Sequence, residues 1–170
     1  MIDNIRIQTR RGIWETNSSS THTLSIYRHN RSYDVPDAVT VDEAAQFGLE
    51  FETIDTVNDR LSYLYQMHCM CGDYNEKENT PGSEWNFIIA ILKAAGVKVV
   101  KYAKPAGKWD YGYIDHAWEL KNLYVQLLAD SDLLLGFIFN PRSVIYTGND
   151  NDDTDVPHDE SADLVYFKGN

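Results

Sequence analysis

The order of apolar and polar positions along this chain predicts strands first, then helices alternating with strands. Ile5-Arg6-Ile7-Gln8 alternates as a half-buried strand does, and Arg10-Arg11-Gly12 interrupts it, which predicts a first hairpin. Eight polar residues in a row, Glu15 to His22, then separate Trp14 from Leu24-Ser25-Ile26-Tyr27. Such a run predicts a surface connection leading into a strand over Thr23 to Arg28, with Leu24, Ile26 and Arg28 on one face and Ser25 and Tyr27 on the other. His29 to Pro36 reads as a loop, Ala38 to Val41 as a short strand and Asp42 to Ala45 as a helical turn.

Helical spacing follows. Thr56 and Asp59 form a capping box with Asp in place of Glu; Val57, Leu61, Leu64, Tyr65 and His68 then recur on one face until Gly72 supplies a stop. Asp73 to Gly82 is a polar loop. Ser83 is placed to cap a second helix with the stripe Trp85, Ile88, Ile89 and Leu92, and Gly96 ends it directly before the β-branched run Val97 to Tyr102. A helix, a glycine and a β-branched strand in succession predict helices layered on a sheet.

Pro105-Ala106-Gly107 ends that strand, and Trp109 to His116 reads as an aromatic loop at a pocket rim. A third helix is expected from about Ala117, with Leu120, Leu123, Tyr124, Leu127 and Leu128 inward. Asp130-Ser131-Asp132 can cap a short helix through Leu133 to Leu135, Asn140-Pro141 turns the chain, and strands are expected at Ser143 to Thr147 and Leu164 to Phe167. Between them residues 148–161 read as a mobile acidic loop. The expected fold is α+β, one domain over residues 1–170, with about five strands in a mixed sheet packed with three main helices.

Composition narrows the function classes. At 170 residues, 43% hydrophobic and 12% aromatic, the chain can bury a core of its own. A net charge of -11 with a pI near 4.7 opposes nonspecific binding to nucleic acid, where phosphate contacts need surplus Lys and Arg. It suits a partner protein with a basic surface, carboxylates standing where phosphates would. An N-terminal basic and apolar signal is missing, as is any apolar run of roughly 18 residues, so no membrane is implied and the cytoplasm is expected. Cys69 and Cys71, one residue apart, read as reduced thiols, and His68 with Cys71 makes only two ligands of a divalent metal site. No cofactor is therefore expected.

Three groups of residues could carry chemistry. Asn17, Ser18, Ser19, Ser20 and Thr21 can offer hydroxyls and backbone N–H groups to a phosphate or carboxylate, though the run has neither the glycines nor the lysine of a phosphate-binding loop. A serine nucleophile served by His22 is disfavoured, because neighbours on a strand point to opposite faces and no glycine-flanked elbow is present. Glu15 and His22, if they meet Asp115 and His116, would form an acid/base or metal site for nucleotide or phosphodiester chemistry. The competing reading has Asp115 capping the third helix with His116 in its first turn. Asp150, Asp152, Asp153 and Asp155 form the densest negative patch. A calcium loop there fails for want of the required glycine, replaced by Thr154.

The stretch Trp14-Glu15-Thr16-Asn17-Ser18-Ser19-Ser20-Thr21-His22 resembles the Phe-Glu-Thr-Asn-Ser-Ser-Ser-Ser-His block near the start of uncharacterised small proteins of tailed bacteriophages and prophages of Gram-positive bacteria. Tyr113-Ile114-Asp115-His116 and Phe137-Ile138-Phe139-Asn140, with Ser143 and Asn149-Asp150-Asn151, are similar to later blocks of that group, in the same order. Ala117-Trp118 departs from it, where a serine is expected soon after the Asp-His pair. The resemblance implies a phage origin and no defined activity. Charge and origin together lead to the expectation of an acidic accessory protein that inhibits a host antiviral nuclease in the manner of an anti-CRISPR protein. A small phosphodiester-processing enzyme and a structural component of the virion are the rivals.

Overall fold

The computed structural model describes residues 20–28, 33–49, 51–75, 80–104, 112–115, 119–149 and 164–169. The described residues form an α+β fold in the order β1 (Ser20–Tyr27), β2 (Ala38–Asp42), β3 (Gln46–Phe47), β4 (Glu52–Ile54), α1 (Val57–Cys71), α2 (Ser83–Ala95), β5 (Val99–Ala103), β6 (Tyr113–Ile114), α3 (Leu120–Ala129), α4 (Ser131–Phe139), β7 (Val144–Asn149) and β8 (Leu164–Gly169). The first expected hairpin and most of the acidic loop lie outside the described residues. No single helix among them is long and apolar enough to cross a membrane.

The α+β class is as the sequence predicts, but the strands are shared among three sheets rather than gathered into one. A four-stranded sheet has the order β4-β7-β1-β8, while β2 pairs with β5 and β3 with β6. Both small sheets are parallel, and the described pairings of the large one are antiparallel. β1 takes a central place, flanked by strands from the far end of the chain. Its residues Thr21 to Tyr27 are all buried, which is why polar Thr21, His22, Thr23 and Ser25 sit inside.

Helix α1 is the centre of the packing, with nine successive residues, Arg60 to His68, buried against β2, β6 and all three other helices. Its start is the expected box: Thr56 Oγ1 accepts from Asp59 N at 3.2 Å. The second cap differs from expectation. Gly82, not Ser83, precedes α2, and the carboxylate of Asp73 accepts from the N–H groups of Ser83 at 2.7 Å and Glu84 at 3.2 Å. A carboxylate from the preceding loop thus does what a serine at the boundary was expected to do, with the helix dipole in its favour.

One edge of the β2/β5 sheet is finished by side chains of α1. Asn58 Oδ1 accepts from Thr40 N and Ser62 Oγ from Asp42 N, both at 2.9 Å, and Gln66 Nε2 donates to Glu43 O at 3.3 Å. Asn58, Ser62 and Gln66 are spaced i, i+4, i+8, so one polar row on a helix serves β2 as a neighbouring strand would.

Helices α3 and α4 meet at Asp130, which ends the first and caps the second by accepting from Leu133 N at 3.0 Å. Arg28 pairs with the same carboxylate. The last helix is longer than the sequence suggested, and Leu133 to Phe139 are all buried. Gly136 permits this, since a Cβ there would lie 2.0 Å from the Tyr27 carbonyl oxygen. Below it, buried Arg60 donates to the carbonyls of Asn140 and Ser143, while Ser143 Oγ accepts from Tyr27 N at 2.9 Å and donates to Gly136 O at 2.8 Å. Three elements, α1, β1 and α4, and the connection after α4 are joined through this polar knot.

Candidate functional site

The two blocks singled out by sequence meet at His22. Thr23, Leu24 and their neighbours pair with β7 and β8, which fixes the register of β1 and turns His22 toward α1. Its Nε2 lies 2.6 Å from the carbonyl oxygen of Asp115, 93 positions along the chain, and its Nδ1 lies 3.0 Å from the hydroxyl of Tyr63. A carbonyl only accepts, so Nε2 carries the proton and Nδ1 accepts from the phenol. Burial holds the Tyr63 pKa well above its ordinary value, with the nearby Cys71 adding to the effect, so the phenol remains a donor.

Backbone geometry makes room for the ring. β3 and β6 pair in parallel, Gln46 beside Tyr113 and Phe47 beside Ile114, and Asp115 N donates to Phe47 O at 2.9 Å. Gly48 follows at φ +92°, and a Cβ on it would lie 2.9 Å from His22 Cε1 and 3.3 Å from Asp115 Cβ. Only glycine satisfies both the positive φ and the close approach. Phe47 closes the other side, its ring centroid 5.2 Å from that of Tyr63.

This geometry gives His22 a positioning task. The side chain is 1% exposed, with both nitrogens engaged within the protein, so it fastens the segment after β6 to the central strand. A general base must reach a proton on a bound substrate, and the lone pair that would accept it already holds the Tyr63 hydrogen. Asp115 does not cap the third helix as expected: α3 begins at Leu120, and Asp115 instead follows β6 at half-buried depth. Glu15, His116, Asn17, Ser18 and Ser19 lie outside the described residues, as do Asp150, Asp152, Asp153 and Asp155. Ser20 opens β1, and Thr21 is 3% exposed within it, so the polar run enters the sheet earlier than expected.

A second buried histidine sits at the other end of α1. His68 Nδ1 lies 2.8 Å from the Tyr124 hydroxyl, which donates to Glu84 Oε2 at 3.2 Å, so Nδ1 carries the proton here. Nε2 is buried without a partner among the described residues, and the ring stacks on Trp85 with centroids 5.6 Å apart. Desolvation lowers the His68 pKa below the usual 6.5 against the opposing pull of Asp73 and Glu84. His68, Asp73 and Glu84 bring donor atoms within 4.8 Å of one another, whereas the sequence suggested Cys71 as its companion. Tyr124 already bridges His68 to Glu84, and the Asp73 oxygens already hold the start of α2. The cluster works as a helix junction.

Sequence reasoning missed Tyr63 and Gly48. Tyr63 looks like one more apolar position of α1, and Gly48 sits in a segment with no periodic signal; the acceptor for His22 is a backbone carbonyl, which no residue type announces. Comparison of the chain with protein-family models, curated proteins and solved structures found no match.

Proposed function

We propose that this chain is a non-catalytic acidic binding protein that docks on the basic nucleic-acid-binding surface of another protein. Following the phage resemblance, the partner is a host antiviral nuclease, and the chain is an anti-CRISPR-like inhibitor acting in the host bacterial cytoplasm. The observation that supports this reading over catalysis is the closed hydrogen bonding of His22, the one histidine among the described residues of the two motifs. With that base committed to the fold, the distinctive chemistry left is the surplus of carboxylates behind the net charge of -11. Exposed Asp34, Asp42, Asp55, Asp59 and Asp132 belong to it, and Asp150 to Asp155 would extend it. Purified chain in excess should bind basic host effector nucleases and block their cleavage of nucleic acid. No binding to any of them would refute the proposal.

A second reading is kept by one contact, the 2.6 Å approach of His22, the last residue of one block, to the backbone of Asp115 in the other. In a nucleotide- or phosphodiester-processing enzyme, His22 would position the loop while Asp115, His116 and Glu15 did the chemistry. Hydrolysis of a nitrophenyl phosphodiester that disappears in His116→Ala, with the fold retained, would favour that reading over the first.

A further inference from the structure

The two edges of the β2/β5 sheet are treated differently, and the difference points outward. In the parallel ladder Val99 N donates to Asp37 O at 3.0 Å and Ala103 O accepts from Glu43 N at 3.0 Å. Backbone groups of Val99, Lys101 and Ala103 therefore face β2, and those of Val100 and Tyr102 face away. On the far side of β2, Asn58, Ser62 and Gln66 complete the edge. On the far side of β5 no strand or side chain among the described residues does so. Parallel strands are ordinarily covered, yet Val99 is 48% and Tyr102 39% exposed.

The strand is not free to move: Tyr102 accepts from Trp85 Nε1 at 3.0 Å and its ring meets Tyr65, while Lys98 pairs with Asp37 at 3.0 Å. A rigid edge that the described residues leave open is a template for one more strand. Charge selects which. Val97 to Lys104 contains three lysines and no carboxylate, in a protein of net charge -11, and Lys101 and Lys104 have no ion pair among the described residues. A second copy pairing antiparallel about Lys101 would set lysine against lysine, which opposes self-association.

We propose that the outer edge of β5 binds an extended acidic segment of a partner protein by β-strand addition. The partner backbone pairs with Val100 and Tyr102; its carboxylates, all on one face of an alternating segment, meet Lys101, and Lys104 just beyond the end of the strand adds to the positive field. The edge is five residues long, about 17 Å at the usual rise of a strand, which fits a segment of five or six residues. This surface is distinct from the acidic one proposed above and stands without it.

The test titrates the isotope-labelled chain with an acetylated, amidated octapeptide of alternating Val and Glu, using the Val and Lys counterpart as control. Saturable binding of the Glu peptide should slow amide exchange at Val100 and Tyr102 at least tenfold and leave Thr40 and Asp42 unchanged. Lys101→Glu with Lys104→Glu should weaken that binding at least tenfold, and Val100→Pro, which removes an outward N–H and trims the Val100 packing on the core, should abolish it. If Val100→Pro fails to fold by circular dichroism, the charge-reversed variant alone decides. The proposal is overturned if the Glu peptide does not bind by about 1 mM, if both peptides bind alike, if charge reversal leaves the affinity unchanged, or if a folded Val100→Pro binds as the original does.

Discussion

If His22 is a fastening rather than a base, its removal should be felt first in stability, and the arithmetic of its two hydrogen bonds says by how much. His22→Leu takes the acceptor from the Tyr63 hydroxyl, on a side chain that is 0% exposed, and the imidazole donor from the half-buried Asp115 carbonyl. An orphaned buried polar group costs about 1–3 kcal/mol, so the variant should lose about 2–5 kcal/mol. Tyr63→Phe orphans only Nδ1 and should lose about 1–3 kcal/mol. The double variant loses only the bond to the Asp115 carbonyl, because donor and acceptor of the other bond are both gone. It should therefore cost less than the sum of the singles by the two orphaned groups it avoids, on the order of 2 kcal/mol or more, the coupling expected of two residues in one network. For a chain of this length each kcal/mol moves the melting temperature by roughly 2–4 °C. Urea unfolding followed by tryptophan fluorescence measures all three variants against the original. Singles that cost under about 0.5 kcal/mol, or a strictly additive double, would refute the reasoning.

Three further outcomes are expected. Because burial lowers the His68 pKa, the unfolded chain binds that proton more readily; stability is full above about pH 6.5 and falls as the pH drops below it, and His68→Gln should show a shallower fall in its urea midpoints. Gly136→Ala should destabilise by at least about 2 kcal/mol despite alanine's better helix propensity, since the added methyl meets the Tyr27 carbonyl; a melting temperature at or above the original would contradict this. Replacing Asp150, Asp152, Asp153 and Asp155 by Asn should preserve the melting temperature and slow association with a basic nuclease at low salt, with the difference shrinking as the Debye length falls from roughly 30 to 8 Å; an unchanged on-rate in a stopped-flow experiment would remove this segment from the binding surface.

What the sequence disclosed, and what it hid, divides along physical lines. The start of α1, the stop at Gly96 and the cap at Asp130 were legible because each depends on residues within four positions, and local hydrogen bonds leave local signatures. β1 was misjudged at its start because a strand with both faces covered loses its period of two, so Ser20, Thr21 and His22 read as a polar turn. β3 and β6, two residues each, are too short to show any period. The meeting of His22 with Asp115 could be posed as a question but not answered, since the partner is a main-chain oxygen brought near by β3 and β6. The row Asn58, Ser62, Gln66 is visible in the sequence only as ordinary helix polarity; that it lies along a strand edge is a property of the packing.

The central place of β1 has a consequence during synthesis. Ser25 pairs with Val144 and Tyr166, so this early strand finds its neighbours only about 120 residues later; at roughly 5–20 residues per second it waits some 6–24 s on the ribosome. Through that interval Leu24 and Ile26, both destined for full burial, are presented by a nascent segment with two open edges. The polar residues interleaved with them, Thr21, His22, Thr23 and Ser25, then act as a safeguard. They keep the waiting strand soluble and out of wrong pairings until β7 emerges to claim it.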